Sequence, residues 1–194
     1  MRFVLIPALC LILASCNDGG SGAVKERSDA VAGTASGTHG VWLNGLLDAY
    51  YGVKLALVEA DSSRADSMAV LLGRACDSAT LPSADSATLI VMKSLLGDLS
   101  SECRGFQGET TLEARRRSFN MMGEHLYPLL QAAGYDGGQV YRQVCPMAFN
   151  DTEKASWLSD SREIVNPYLG KKHPKYSAGM LHCGELEDSL MKAR

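Results

Sequence analysis

The chain has 194 residues, of which 46% are hydrophobic and 21% charged, the make-up of a globular protein with one core, so a single folded domain is expected. Its 19 Lys and Arg stand against 22 Asp and Glu, a net charge of −3. Nothing in that balance suggests a nucleic-acid binder, which would show a clustered basic face.

Residues 1–16 read as a lipoprotein export signal and not as part of the fold. Arg2 supplies a positive n-region and Phe3 to Leu13 an apolar h-region too short to span a bilayer. Leu13-Ala14-Ser15-Cys16 matches the bacterial lipobox, in which small residues suit the lipoprotein peptidase and the Cys16 thiol takes the lipid. Attachment to the membrane through Cys16, facing the periplasm, is therefore expected. Export also changes how the other cysteines are read. Cys10 leaves with the signal, so Cys76, Cys103, Cys145 and Cys183 remain in a compartment where disulfides persist.

Residues 17–39 hold repeated Gly and Ser and almost no large apolar side chains, so they read as a tether. His39 is isolated within it. From Val41 the apolar period becomes helical. Leu43, Leu46, Leu47, Tyr50, Val53 and Leu57 recur at spacings of three and four, predicting a first helix over about 41–60. Asp61 or Ser62 can cap a second, lined by Ala65, Met68, Ala69, Leu72 and Ala75 and stopping near Cys76.

Pro82 marks a loop, after which Ser83 can cap a third helix with Ala87, Ile90, Val91, Ser94, Leu95 and Leu99 on its buried face. Gly105 to Gly108 are expected to break the chain. Thr110-Thr111-Leu112-Glu113 fits a capping box closed by Thr110 and Glu113. A fourth helix then buries Leu112, Phe119, Met122, Leu126, Leu129, Leu130 and Ala133, and ends at Gly134. Met68, Met92, Met121 and Met122, at helical spacing, are expected in the core, and His125 in solvent.

Four helices of comparable length with short connections predict an all-α fold, an antiparallel up-down-up-down four-helix bundle over 40–134. Within it a continuous third helix would hold Cys76 and Cys103 too far apart to pair. Residues 135–186 are expected to form an irregular segment packed back on the bundle, and 187–194 a tail. Asn166-Pro167-Tyr168 is poor helix material, because a residue before proline is pushed out of the α region. Trp157 and Tyr168 would anchor the segment by burial, with Asn166 bonding backbone in a turn into Pro167.

Soft donors stand at the two ends of that segment: Cys145 and Met147 at the start, Met180, His182 and Cys183 at the finish. Cys145 and Cys183 could be thiolate ligands or a disulfide, and in an exported protein a disulfide that staples the segment is expected. If Met180 to Cys183 is extended, Met180 and His182 share a face. Thioether and imidazole suit copper, thioether selecting Cu(I). Met147 would be a third ligand, with His173 as a substitute. No nucleophile with a general base and no paired carboxylates are visible, so no enzyme activity is expected.

The motifs Cys145-Pro146-Met147-Ala148, Trp157-Leu158-Ser159, Glu163 to Gly170 (E-I-x-N-P-Y-x-G) and Met180 to Gly184 (M-L-x-C-G), with the run Tyr50 to Asp61, resemble a bacterial exported family of unknown function. The resemblance covers roughly residues 40–186. Members of that family also occur attached to periplasmic adaptor subunits of heavy-metal, copper-type efflux pumps. It implies a soft-metal-binding envelope protein that acts beside such a pump, with the adaptor or another envelope protein as a partner. A protein-interaction or structural module without metal is the alternative. In this chain Lys171 to Gly179 is inserted between N-P-Y-x-G and M-L-x-C-G.

Overall fold

The computed structural model describes residues 40–190. The signal, the lipobox with Cys16, the stretch 17–39 and the last four residues lie outside it. Four helices come first: α1 (Gly40–Val58), α2 (Ser62–Asp77), α3 (Ser86–Gly108) and α4 (Leu112–Ala132). They are followed by β1 (Val140–Phe149), β2 (Glu153–Ser159) and β3 (Glu185–Leu190), an antiparallel sheet in the order β2-β1-β3. The all-α expectation is thus overturned: the segment read as irregular carries a sheet, and β3 runs on through the first half of the expected tail.

Local chemistry explains the hairpin that the sequence hid. Asn150 and Asp151 both adopt positive φ, 51° and 63°, and the Thr152 N–H donates to the Phe149 carbonyl at 3.1 Å. Positive φ at both central residues matches the twist of paired strands, and Asn and Asp tolerate it. Pro146 argues against a strand, since it cannot donate to a ladder. It falls where the β1–β2 register shifts, between Cys145 and Phe149, and such an irregularity tolerates proline.

The helices keep their expected order with changed details. Asp61 caps α2 by accepting from the Arg64 N–H at 2.9 Å. The cap of α3 is Asp85, not Ser83, and accepts from the Ala87 and Thr88 N–H groups. Thr111, not Thr110, caps α4 through the Ala114 N–H, while Glu113 pairs with Arg117 at 3.3 Å. Both α1 and α4 end in Schellman turns. Asp61 N–H reaches the Ala56 carbonyl at 2.9 Å around Ala60, and Tyr135 N–H reaches Leu130 at 2.9 Å around Gly134.

Helix α3 departs most from its expected face. It continues through Gly105 to Gly108 and buries Met92, Leu96, Leu99, Cys103 and Phe106, at spacings of four and three, leaving Ile90 68% and Val91 48% exposed. Met121 is likewise outside, 41% exposed, while Met92 and Met122 are fully buried and Met68 partly so. Cys76 and Cys103 are unbonded, but not because they lie far apart. Ser100 donates to Asp77 at 2.7 Å, and a Cβ on Gly73 would come within 3.3 Å of Cys103. The 78–85 linker therefore carries the chain back beside α2 before α3 descends past it.

One core runs through helices and sheet. Tyr50 stacks on Phe119 at 4.6 Å, and Tyr168 meets Phe119, Phe149 and Trp157 at 5.3 to 6.2 Å. Strand β2 packs on α4 and touches α1, and the Tyr50 hydroxyl oxygen accepts from the Leu158 N–H at 3.2 Å. Among the described residues no helix is long and apolar enough to cross a membrane.

Candidate functional site

The chain brings the two ends of its C-terminal segment together through one buried side chain. Asn166 accepts from the backbone N–H groups of Tyr168 at 2.8 Å and Leu169 at 2.9 Å, and its amide donates to the Cys183 carbonyl at 2.7 Å. Its own N–H donates to the Leu181 carbonyl at 2.8 Å. A short polar side chain thus ties N-P-Y-x-G to M-L-x-C-G. Gly184 completes the approach: at φ 145° a Cβ there would lie 2.8 Å from the Val144 carbonyl and 2.9 Å from the Trp157 ring.

That tie sets Cys183 against Cys145, the buried residue of β1 opposite Ala155. Their Sγ atoms are 3.1 Å apart and unbonded. Burial first, and then the neighbouring Cys145 thiol, pushes the Cys183 thiol up to about 11, so at neutral pH it carries its proton. The other expected anchors are fully buried. Trp157 is 0% exposed, Tyr168 donates its hydroxyl to the Ser156 carbonyl, and the Pro167 carbonyl accepts from Arg116 at 3.0 Å.

Met180 to Cys183 is not extended. Leu181 N–H donates to Ala178 and Cys183 N–H to Met180 in successive turns, so the two-residue alternation that would aim Met180 and His182 together does not operate. The insertion Lys171 to Gly179 feeds directly into these turns, and Met180 packs against the core. His182 is exposed, with Nδ1 at 2.8 Å from the Ile164 carbonyl. A carbonyl only accepts, so Nδ1 carries the proton and Nε2 keeps its lone pair, the arrangement of a metal-ligating histidine with a backbone partner.

Met147 faces elsewhere. It lines a cavity of about 380 Å³ with Arg116, Lys172, His173 and Lys175, cationic company for a cation ligand. His173 Nδ1 accepts from the Lys175 and Tyr176 N–H groups, each at 3.3 Å, which leaves the proton on Nε2. That tautomer is the wrong one for ligation through Nε2. Among the described residues no three His, Cys, Asp or Glu side chains cluster as an ion site.

Arg116 is the residue that sequence reading passed over. In the run Arg115-Arg116-Arg117 each guanidinium goes a different way. Arg115 pairs with Asp66 at 3.0 Å, Arg117 reaches Glu153 at 2.9 Å, and Arg116, 4% exposed, turns inward to the Pro167 and Leu57 carbonyls. The signal available was position: Arg116 stands three residues before Phe119 on the apolar side of α4.

No curated protein and no solved structure matches the chain. A family model does, over the helical region from within α1 to just short of β1, and the C-terminal motifs lie outside the matched stretch. Residues 46–138 match the model of the family described as Protein of unknown function (DUF3347).

Proposed function

We propose that this chain is a non-enzymatic envelope lipoprotein, tethered through Cys16 and facing the periplasm, that holds a soft cation for heavy-metal efflux or homeostasis, with Cu(I) the first candidate. The observation that carries the reading is the approach of Cys145 and Cys183 to 3.1 Å, with His182, the exposed sequence neighbour of Cys183, holding the Ile164 carbonyl through Nδ1. Two thiolates are soft donors that suit Cu(I), and among the described residues the pair is the only part of the set that the fold brings into contact. Met180, one turn before Cys183, supplies a thioether nearby. Met147, which faces the cationic cavity, is left out of this set.

Because Cys183 holds its proton up to about 11, ligation displaces it, and the apparent affinity rises with pH through the neutral range. The test is Cu(I) titration of reduced protein against a competing chelator. Wild type should compete, the Cys145→Ser, Cys183→Ser double variant should not, and Met180→Ala, His182→Ala should be weakened. Equal binding by wild type and the double cysteine variant would refute the reading.

The same contact favours a second reading. If the two cysteines are recovered oxidised, the pair is a staple, and the chain is a structural or protein-interaction module of an envelope complex. Thiol labelling of unreduced, denatured protein from the envelope separates the two.

A further inference from the structure

The cavity that Met147 lines lies between the first turns of α4, the Phe149–Asp151 turn and the loop that follows Gly170. Its volume, about 380 Å³, falls within the roughly 300–1,000 Å³ of small-molecule sites. Leu112, Met147, Phe149, Tyr168 and Leu169 give it apolar walls. Arg116 stands among them, 4% exposed.

A buried guanidinium is costly unless its charge is met. Arg116 has two carbonyl partners, Pro167 at 3.0 Å and Leu57 at 3.5 Å, the latter at the C-terminus of α1, where a helix carries partial negative charge. These occupy two of its five N–H donors. Among the described residues neither Arg116 nor Lys172 is ion-paired. Burial lowers the Arg116 guanidinium to about 10, the sign of a charge without a full counterpart.

The acids that line the cavity supply that counterpart only in part, since Glu113 acts on Arg116 through space without bonding to it. Glu113 is taken by Arg117 at 3.3 Å, and Asp151 by Lys175 and by the Tyr176 hydroxyl at 2.6 Å. His173 adds a donor. With Nδ1 accepting from two backbone N–H groups, its proton sits on Nε2. Burial, and then Arg116, hold the ring below the ordinary imidazole range, so it is a neutral donor at pH 7. Gly170, at φ 46°, is what admits the guanidinium: a Cβ there would lie 3.0 Å from Arg116 Nη2 and 2.9 Å from the Val58 carbonyl.

We propose that this cavity binds a small organic carboxylate with an apolar tail, its carboxylate on Arg116 with Lys172 and His173 as further donors, and its tail against Leu112, Met147 and Phe149. One buried guanidinium matches one carboxylate in charge and in its paired donor geometry, and the apolar walls leave the rest of the ligand little to bond to. The site is independent of the cysteine pair, and its ligand is an anion.

The experiment is calorimetric titration of the folded chain with octanoate and, separately, with inorganic phosphate. Octanoate should saturate one site per chain, and phosphate should not compete with it. Arg116→Gln should weaken octanoate by about 10- to 100-fold, the worth of a charged hydrogen bond, and exposed Lys172→Gln by about 2- to 5-fold. Because Arg116 also joins α1 to the C-terminal segment, Leu112→Trp serves as a second variant. It fills the cavity from the start of α4, leaves the Thr111 cap in place, and should abolish binding with helix content unchanged. No saturable octanoate binding by wild type, equal binding of phosphate, or a folded Leu112→Trp variant that binds as wild type does would each overturn the proposal.

Discussion

Replacing Asn166 by alanine tests whether a single buried amide organises the C-terminal segment. The side chain is fully buried and serves three backbone groups: the N–H groups of Tyr168 and Leu169 and the Cys183 carbonyl, at 2.7 to 2.9 Å. Tyr168 and Leu169 are each 1% exposed, so water cannot replace the lost acceptor without the segment opening. Stranding a buried polar group costs about 1–3 kcal/mol. With some relaxation at the half-buried Cys183, Asn166→Ala should lose about 3–6 kcal/mol in all. That is a large part of the roughly 5–15 kcal/mol that holds a domain together. At about 2–4 °C per kcal/mol for a chain of this size, the melting midpoint should fall by roughly 10–20 °C. Urea unfolding followed by circular dichroism gives the free energy, and native-state thiol labelling reports on Cys183, which should react faster once its carbonyl is released. A loss below about 1 kcal/mol, or unchanged Cys183 labelling, would refute the reasoning and place the organising contact elsewhere, with Gly184 and Trp157 the next to examine.

Four further outcomes follow from the geometry. Oxidising Cys145 and Cys183, which stand 38 positions apart in sequence, should stabilise the chain by about 4 kcal/mol in the chain-entropy treatment, read as the shift in urea midpoint between oxidised protein and a Cys145→Ser variant. In reduced protein, burial raises the Cys183 thiol to about 11 and the Cys76 thiol to about 12, whereas unfolded thiols titrate near about 8.5. Above that pH the unfolded chain binds fewer protons, so this contribution is fully present below about 8.5 and is lost as pH rises towards 11; the melting midpoint should decline over that window, and less steeply in Cys76→Ala. Gly170→Ala, forced to keep φ 46° against the Val58 carbonyl, should cost about 1–3 kcal/mol. Gly97→Ala, exposed within α3 with nothing within 4 Å of its Cβ, should instead stabilise by about 0.5–1 kcal/mol, as thermal unfolding will show.

The amino-acid sequence by itself determined the four helices, because helical order is written in local period. Leu43, Leu46, Leu47, Tyr50, Val53 and Leu57 lie on one face of α1 whatever packs there, and all are buried. Asp61 and Gly134 act through groups a few residues away, so caps and stops of that kind are legible one element at a time. In α3 the local reading failed, since Ile90-Val91 and Met92-Leu96 offer competing faces and only the α2 and α4 surfaces choose between them. Strand pairing was invisible for a similar reason. Pro146 and the absence of clean alternation hide β1 until β2 and β3 flank it, and β3, with four of its six residues exposed, has little apolar signal of its own. The soft donors at the two ends of the segment could be read from residue type. Which of them meet could not: Cys145 finds Cys183 through the Asn166 tie, whereas Met147 turns to Arg116 in a cavity walled by parts of the chain far apart in sequence. Residue chemistry is a local property, and the company each residue keeps is decided by contacts that exist only once the helices and the sheet share one core.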